Sequence, residues 1–226
     1  MNKTVREWQA YWSKKSDAEH RHNTKYWKDL YSKELMIFFP DRVQNSLELG
    51  CGNGDLIKPL LYKFSNYIGT DFSITMLRKF KNKNLNGNLI CSDASNLPFK
   101  DGLFDYVFSN GVCQYMDKTL LKNNLLLVNK LLIKGGKYFI GNIPDKQLRN
   151  FYYANALRGD IDFSLKNMLK SEMYRCYRKY INKKIDYNWF TRRFISLLAN
   201  ECGFSCKTFS SISYEYRFHS LLEKEH

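Results

Sequence analysis

The chain has 226 residues, of which 44% are hydrophobic, enough apolar side chains for the core of one domain over residues 1–226. Its 36 Lys and Arg outnumber its 22 Asp and Glu, and the formal net charge of +14 favours anionic ligands over cationic ones. There is no apolar run long enough to cross a bilayer, no export signal, and no C-x-x-C pair among six cysteines, so we expect a cytoplasmic protein with reduced thiols, without a membrane span or a zinc ribbon.

The first part of the chain is rich in aromatic residues and reads as helical. Residues 1–40 contain eight aromatic side chains, among them Trp8, Tyr11, Trp12, Tyr26 and Trp27. We predict a helical segment here and expect the sheet to begin near Ser46.

A glycine-rich turn follows the first predicted strand. Leu47–Leu49 is apolar apart from Glu48, and Gly50, Gly52 and Gly54 follow with the spacing G-x-G-x-G. Glycines let the backbone turn sharply and approach a ligand closely. The dinucleotide fingerprint requires a sixth-position glycine, but Asp55 stands there, so this site is not predicted to bind a dinucleotide. A turn that binds no ligand is the simpler alternative.

Two further predicted strands end in acids. Residues 66–71 end at Asp71, about 20 residues after the glycine loop, where a carboxylate can accept hydrogen bonds from both ribose hydroxyls. Residues 88–94 contain Asp93 at the end of a third strand. An acid at a strand end is often only a solvated turn residue, but here the acids follow the glycine loop in the order that a nucleotide-binding α/β sheet requires.

The remaining predicted helices and strands alternate along the chain. We predict helices over 55–64, 73–83 and 118–133, strands over 104–112 and 134–140, a late helix that Thr191 caps and Gly203 ends, and two final strands over 204–210 and 212–222. Cys51, Cys91 and Cys113 fall in predicted strands or at their ends, where buried thiols are common. The alternation predicts a parallel sheet with right-handed crossovers and helices on both faces.

These segments together resemble the class I S-adenosylmethionine (SAM)-dependent methyltransferases. The resemblance rests on Leu47–Gly54, on Asp93–Phe99 with the sequence D-A-S-N-L-P-F, on Phe104–Val107, and on the Lys134–Ile140 turn and strand. It covers about residues 44–145, with a weaker match over 189–226. It implies a Rossmann-like, seven-stranded, mostly parallel sheet whose last strand is antiparallel, with the glycines at 135 and 136 closing a helix.

The resemblance also implies the cofactor and its site. SAM is the expected cofactor, Asp71 is expected at the ribose, and Asp93 near the adenine amino group. Relatives fold an N-terminal segment over the cofactor as a lid, which would bring Tyr11 and Trp12 to the sulfonium. The cofactor residues implied in this way are Glu48, Gly50, Cys51, Gly52, Gly54, Asp71, Phe72, Asp93, Ala94, Asn110, Tyr11 and Trp12.

A basic and aromatic segment over residues 146–188 departs from a minimal version of this fold. Between residues 146 and 193 there are twelve Lys or Arg and four acids, a balance of +8, with seven Tyr or Trp among them. It resembles the substrate-covering cap that small-molecule methyltransferases insert after strand five, and its charge would attract an anionic substrate. A solvated helical cap without a ligand is the other interpretation.

Candidates for the reaction itself lie at the predicted carboxyl ends of the strands. Gln114 and Tyr115 follow strand four, and Asp145 follows strand five. His219 lies in the last strand, where a lone His is more often structural. Gln114 stands where many relatives carry His, and glutamine cannot act as a base. Transfer from SAM requires alignment and exclusion of water, and a base only for a poor nucleophile. We find no acid cluster for a metal and predict none.

The sequence therefore predicts a methyltransferase acting on O or N of a small polar, anionic metabolite, such as a sugar or nucleotide-linked intermediate of surface-polysaccharide biosynthesis. An RNA methyltransferase is the first alternative, because basic and aromatic residues also bind nucleic acid. Ser109-Asn110-Gly111-Val112 lacks the Pro-Pro-aromatic motif of base-modifying enzymes, and no proline precedes Cys113, which argues against it. A non-catalytic SAM-fold subunit is the second alternative. Oligomeric state is left open.

Overall fold

The computed structural model describes residues 25–153, 173 and 188–225. Five helices lie in these ranges: α1 (Lys25–Phe38), α2 (Ile74–Lys81), α3 (Lys118–Leu131), α4 (Arg149–Tyr153) and α5 (Arg192–Glu201). Seven strands accompany them: β1 (Val43–Leu49), β2 (Phe64–Asp71), β3 (Asn88–Cys91), β4 (Phe104–Asn110), β5 (Leu132–Pro144), β6 (Phe204–Ser210) and β7 (Arg217–Lys224). None of the described helices is long and apolar enough to cross a membrane.

The seven strands form one sheet in the order β3-β2-β1-β4-β5-β7-β6. Strands β1 to β5 pair in parallel, while β7 lies between β5 and β6 and is antiparallel to both. The chain order reverses at β1, between β2 and β4. Ligands of open α/β sheets bind at such a switch point, outside the carboxyl ends of the strands. The predicted Rossmann-like sheet and its antiparallel last strand are confirmed.

Helices cover both faces of the sheet, as predicted. On one face, the apolar sides of α3 and α5 bury Leu125, Val128 and Ile195 against the strands. On the other face, α1 and α2 pack Leu35 and Phe80 among the aromatic side chains of β2, β4 and β5. This double layer makes the central strands inaccessible and leaves their ends as the place for a site.

The helices that carry side-chain caps lie close to their predicted positions. The Ser73 hydroxyl accepts a hydrogen bond from the Met76 amide, Asp117 caps α3 through the Leu120 amide, and Thr191 caps α5 through the Phe194 amide. Such caps satisfy amides that have no partner inside the helix. Helix α5 ends two residues before Gly203, whose φ is +80°.

The helix predicted over 55–64 is wrong. The structure has a turn followed by a short 3₁₀ helix, Lys58–Lys63, with Pro59 in its first turn, and β2 begins at once at Phe64. Because Val43 pairs with Phe64 and Leu49 with Thr70, the chain must return about 20 Å to start β2. The six residues of the 3₁₀ helix cover about 12 Å of that return, and the turn before it covers the rest.

Three smaller expectations are corrected. Helix α3 ends at Leu131, so the glycines at 135 and 136 do not close it; they lie in β5, where the pairing moves from Phe104–Leu132 to Tyr106–Lys137 and the extra residues loop out. The last strand begins at Arg217 instead of residue 212. The Cys91 thiol is exposed, whereas those of Cys51 and Cys113 are buried.

Candidate functional site

A cleft of about 670 Å³ lies at the carboxyl ends of β1, β2 and β4. Residues from four loops line it: Gly50, Gly52, Asp71, Phe72, Met76, Ser92, Ala94, Asn110, Gly111, Val112 and Tyr115. Seven of these residues were predicted: Gly50, Gly52, Asp71, Phe72, Ala94, Asn110 and Tyr115. They come together because parallel strands end at the same edge of the sheet.

The glycine loop is fastened to the end of β2. The amides of Gly50 and Cys51 both donate to the Thr70 carbonyl, over 2.7 and 2.9 Å. Gly50 has a φ of +73°, and a Cβ there would lie 2.5 Å from a methyl of Val112, so only glycine fits. At Gly52 a Cβ would meet nothing within 4 Å, which leaves open backbone for a ligand to approach.

Asp71 holds the same loop from the other side. One carboxylate oxygen accepts from the Gly52 amide at 2.9 Å and the other from the Ser73 amide at 2.8 Å. Burial raises the pKa of this carboxyl, and the two amides oppose that rise. Each oxygen keeps a second lone pair, so the side chain can also accept from a pair of vicinal hydroxyls.

A lysine stabilises the chain just after the loop. The Lys83 ammonium donates to the Asn53 carbonyl at 2.9 Å and forms an ion pair with Asp55. The Asn53 side chain also contacts Asp55. No α-helix follows the loop, so these contacts, rather than a helix N-terminus, fix its far end.

Glu48 lies below the cleft and is 4% exposed. Tyr67 donates its hydroxyl to one of the Glu48 oxygens. Burial raises the pKa of Glu48 to about 8; the hydrogen bond from Tyr67 opposes the rise and nearby Asp71 adds to it. Glu48 also borders a smaller apolar cavity shared with Asn110 and Phe139. The side chain predicted as a cofactor residue is therefore close to the site but protonated near neutral pH in the absence of a cation.

Asn110 joins this cavity to the cleft, since it lines both. Tyr31 of α1 donates its hydroxyl to the Asn110 side-chain oxygen. Burial, with Glu34 nearby, raises the pKa of Tyr31 well above its usual value, so the phenol stays a donor. The amide of Asn110 is therefore held with its oxygen toward α1.

His219 does not line the cleft; it is fully buried and belongs to a clamp around Glu34. Its Nδ1 accepts from the Asn142 amide at 3.0 Å, which leaves Nε2 as the donor to Glu34 at 2.9 Å. Ile212 and Ser213 donate their amides to the same carboxylate. His219 therefore ties α1 to β7 and the preceding turn, and its role as a base stays a prediction.

Burial alone would raise the pKa of Glu34. The hydrogen bonds from His219, Ser213 and Ile212 outweigh it and lower the pKa to about 2. The carboxylate is therefore ionised at every physiological pH, and the clamp holds α1 against the sheet beside Asn110.

Asp145, the other predicted base, is also buried. It accepts from the Gln147 amide at 3.0 Å and from the Arg192 guanidinium at 3.3 Å. These bonds join the start of the basic segment to the helix that follows it. Asp145 does not line the described cleft.

The other predicted site residues have mixed positions. Cys51 and Gln114 are buried beneath the cleft, Gly54 packs on Phe80, and Asp93 caps the next turn by accepting from the Ser95 amide at 2.9 Å. Tyr11 and Trp12 lie outside the described residues. No group of three His, Cys, Asp or Glu that could hold a metal ion occurs in the described parts of the chain.

Sequence reasoning missed several members of the site. Met76, Ser92, Gly111 and Val112 line the cleft, and all four lie within five residues of a strand end that was predicted. Proximity to those strand ends was the available signal. Nothing in the local sequence of α1 marks Tyr31, because its contact with Asn110 spans 79 residues.

The sheet order, the inserted antiparallel strand, and a glycine loop facing an acid at the end of the next strand are features of the class I SAM-dependent methyltransferase fold. Residues 47–136 of the 226 match the family model of a methyltransferase domain. The chain's cofactor is SAM, and the residues present fit it, because the loop offers open backbone at Gly52 and Asp71 offers two acceptor oxygens.

Solved structures share the whole fold. The PH0226 protein of Pyrococcus horikoshii OT3 superposes with a TM-score of 0.68 and 21% identity, over 96% of this chain and 99% of the other. The N-methyltransferase NodS of Bradyrhizobium japonicum, solved with S-adenosyl-L-homocysteine (SAH), superposes with a TM-score of 0.65 and 13% identity over the full length of both.

Curated relatives match only in part. An uncharacterized protein of Methanocaldococcus jannaschii is 32% identical over 120 residues, 49% of this chain and 55% of the relative. The malonyl-[acyl-carrier protein] O-methyltransferase of Legionella pneumophila is 36% identical over 74 residues, 30% of this chain and 26% of the relative. The chain thus spans about half the length of the first relative and a quarter of the second.

Proposed function

We propose that the protein transfers the methyl group of SAM to an oxygen or nitrogen of a small polar, anionic metabolite. The observation that carries this proposal is the anchoring of the basic segment. Its two ends lie side by side after β5: Lys146 donates its amide to the Phe190 carbonyl at 2.8 Å, and Phe190 donates to the Pro144 carbonyl at 3.0 Å. Asn188 donates its amide to the Gln114 carbonyl at 2.9 Å. The segment therefore starts and ends beside the cleft wall formed by Gly111 and Tyr115.

The charge of the basic segment indicates the class of substrate. Residues 146–193 carry twelve Lys or Arg and four acids, a balance of +8 out of the chain's +14. A field of one sign beside a cleft raises the local concentration of anions. A sugar or nucleotide-linked intermediate, as in surface-polysaccharide biosynthesis, has both the charge and the hydroxyl groups for this cleft. We assign the whole chain to one domain, with residues 1–40 as a lid and 146–188 as the substrate cap.

The residues of the cleft act by holding and aligning. SAM supplies an activated methyl group on a sulfonium. Asp71 would bind the ribose hydroxyls, the backbone at Gly50 and Gly52 would admit the cofactor closely, and Tyr115 would border the acceptor. Alignment of this kind can supply about 7–11 kcal/mol in favourable intramolecular models. Neither predicted base reaches the described cleft, so positioning is the mechanism that this arrangement supports.

Labelled SAM tests the proposal. Purified protein is incubated with methyl-labelled SAM and a fractionated small-molecule extract, and products are identified by mass spectrometry. Label in an anionic metabolite supports the proposal. Label only in tRNA or rRNA would establish the RNA alternative, and binding of SAM without any transfer would support the non-catalytic one.

A further inference from the structure

Tyr31, a buried residue of α1, is linked to the cleft through one hydrogen bond. Its side chain is 1% exposed, and its hydroxyl donates to the side-chain oxygen of Asn110 at the end of β4. Asn110 is half-buried and lines the cleft. A residue that does not line the described cleft therefore holds one that does.

The contact between Tyr31 and Asn110 is built into the sheet and the helix. Gly141 of β5 pairs with Asn110, and a Cβ on Gly141 would lie 2.7 Å from the Asn110 side-chain oxygen and 3.2 Å from the Tyr31 hydroxyl. Glycine at this position leaves the space in which the two side chains meet. The Tyr31 ring lies edge-on to Tyr214, with 5.3 Å between the ring centroids. Glu34, about one turn further along α1, is held by the clamp.

The hydrogen-bonding roles decide which end of the Asn110 amide is left for a ligand. Burial raises the pKa of Tyr31 well above its ordinary value, so the hydroxyl keeps its proton and donates it. A primary amide accepts through its oxygen and donates through its nitrogen. With the oxygen bound to Tyr31, the nitrogen of Asn110 has no hydrogen-bond partner among the described residues. In this orientation Asn110 offers a donor, which matches an acceptor oxygen of a ligand.

The order of the strands along the cleft indicates which oxygen this is. The lining residues run from Ser92 after β3, through Asp71 at the end of β2, to Asn110 at the end of β4. In SAM the ribose lies between the adenine and the amino-acid part. With the ribose at Asp71 and the adenine beside Asp93 after β3, the amino-acid part would extend toward β4. The carboxylate of that part supplies acceptor oxygens.

We propose that Tyr31 is a positioning residue for the cofactor: it holds the Asn110 amide so that the amide nitrogen donates to the carboxylate of the amino-acid part of SAM. Tyr31 does not touch the cofactor and acts through Asn110. The inference rests on the proposed function only for the identity of the cofactor, and it is independent of the methyl acceptor.

Two ligands and two variants test the inference by calorimetry. Methylthioadenosine has the adenosine and sulfur of SAH but no amino-acid part. We expect Tyr31→Phe to raise the Kd for SAH about 3- to 10-fold, the loss of one oriented hydrogen bond, and to leave the Kd for methylthioadenosine within about twofold. Asn110→Asp still accepts from Tyr31 but places a negative charge beside the carboxylate, so it should raise the Kd for SAH more than Tyr31→Phe does.

The outcomes separate this inference from the proposed function. An unchanged Kd for SAH in both variants, or an equal loss of affinity for the two ligands, would overturn the inference alone. Failure of the wild type to bind SAH would overturn the cofactor, and with it both proposals.

A double-mutant cycle tests whether Tyr31 acts through Asn110. In Asn110→Ala there is no amide to orient, so adding Tyr31→Phe should change the Kd for SAH less than about twofold. Additive losses would show that Tyr31 acts independently of Asn110 and would overturn the proposal.

Tyr106→Phe is the matched control. Tyr106 is also buried, and its hydroxyl donates to the Phe38 carbonyl of α1 at 2.7 Å, but it does not line the described cleft. We expect Tyr106→Phe to lower Tm about as much as Tyr31→Phe does, since each loses one buried hydrogen bond, with the Kd for SAH within about twofold of wild type. An equal rise of that Kd in the two variants would show that Tyr31 only stabilises the packing of α1, which would overturn the positioning role.

Discussion

Glu34 and Glu48 are both almost completely buried, yet their pKa values are displaced in opposite directions. The number of hydrogen-bond donors around each carboxylate decides whether its pKa is raised or lowered. Glu34 accepts from two amides, a serine and His219, which together stabilise the carboxylate. Glu48 receives one hydrogen bond from Tyr67, too little to offset burial. Glu34 in the α1 clamp is therefore charged, whereas Glu48 below the cleft is neutral near pH 7.

Replacing Glu48 by Gln should flatten one part of the pH dependence of stability. The folded-state pKa of about 8 lies above the ordinary 4.5, so the wild type binds this proton more tightly when folded. Its stability contribution is complete below about pH 4.5 and is lost as the pH rises toward 8, by up to about 1.4 kcal/mol per pH unit. Urea unfolding at pH 5 and pH 8 should show nearly equal stabilities at pH 5 and a more stable Glu48→Gln at pH 8. Parallel curves would contradict a neutral Glu48.

Replacing Glu34 by Gln tests the opposite displacement. The folded-state pKa of about 2 lies below 4.5, so the carboxylate contributes stability above pH 4.5 that is lost as the pH falls toward 2. We expect Glu34→Gln to be less stable than wild type by about 3 kcal/mol at pH 6, with the gap closing below pH 4.5. Chemical denaturation at pH 6, 4 and 3 measures it. A difference in stability between wild type and Glu34→Gln that does not change with pH would show that the shape of the Glu34 side chain, not its charge, stabilises the clamp.

At the scale of elements, the connection from β1 to β2 departs most from the sequence expectation. The apolar residues of 55–64 suit a helix, but the structure has a turn and a six-residue 3₁₀ helix there. A local pattern carries no information on the distance to the next strand. The caps at Ser73, Asp117 and Thr191 were predictable or adjacent to predicted starts, because a cap is local.

Lys83 should matter for ligand binding more than for folding. Its ammonium fixes the Asn53 carbonyl and Asp55 after the glycine loop, but the ion pair is about one-third exposed, so its effect on stability should stay below about 1 kcal/mol. We expect Lys83→Met to weaken SAH binding about 3- to 10-fold by calorimetry, with Tm nearly unchanged. Lys81→Met, an exposed lysine of α2, is the matched control. Equal SAH affinity in the two variants would contradict the role of Lys83.

At the scale of the whole molecule, the sheet and the cofactor edge could be predicted, because glycine spacing and strand-end acids follow one another along the sequence. The links across the molecule could not. Glu34 meets His219 over 185 residues, and Tyr31 meets Asn110 over 79. Those links place His219 in the packing between α1 and β7, and only the assembled sheet reveals them.

The last prediction concerns the effect of cofactor binding on the stability of the whole molecule. A ligand that binds only the folded state stabilises it by mass action, about 2.7 kcal/mol at 100 times its Kd. SAH should therefore raise Tm in differential scanning fluorimetry. Asp71→Asn should lose most of that rise, because an amide cannot accept from two hydroxyls while also serving the Gly52 and Ser73 amides. Its unliganded Tm should also fall by a few degrees, since one of those amides loses its acceptor.

The exposed Asp101→Asn serves as the control and should respond to SAH as the wild type does. An equal SAH response in Asp71→Asn and Asp101→Asn would contradict the assignment of Asp71 to the ribose. Stabilisation by NAD or ATP, with none by SAM or SAH, would contradict the cofactor itself. A reduced response confined to Asp71→Asn would tie the end of β2 to the ligand, since that carboxylate contacts both the glycine loop and the start of α2.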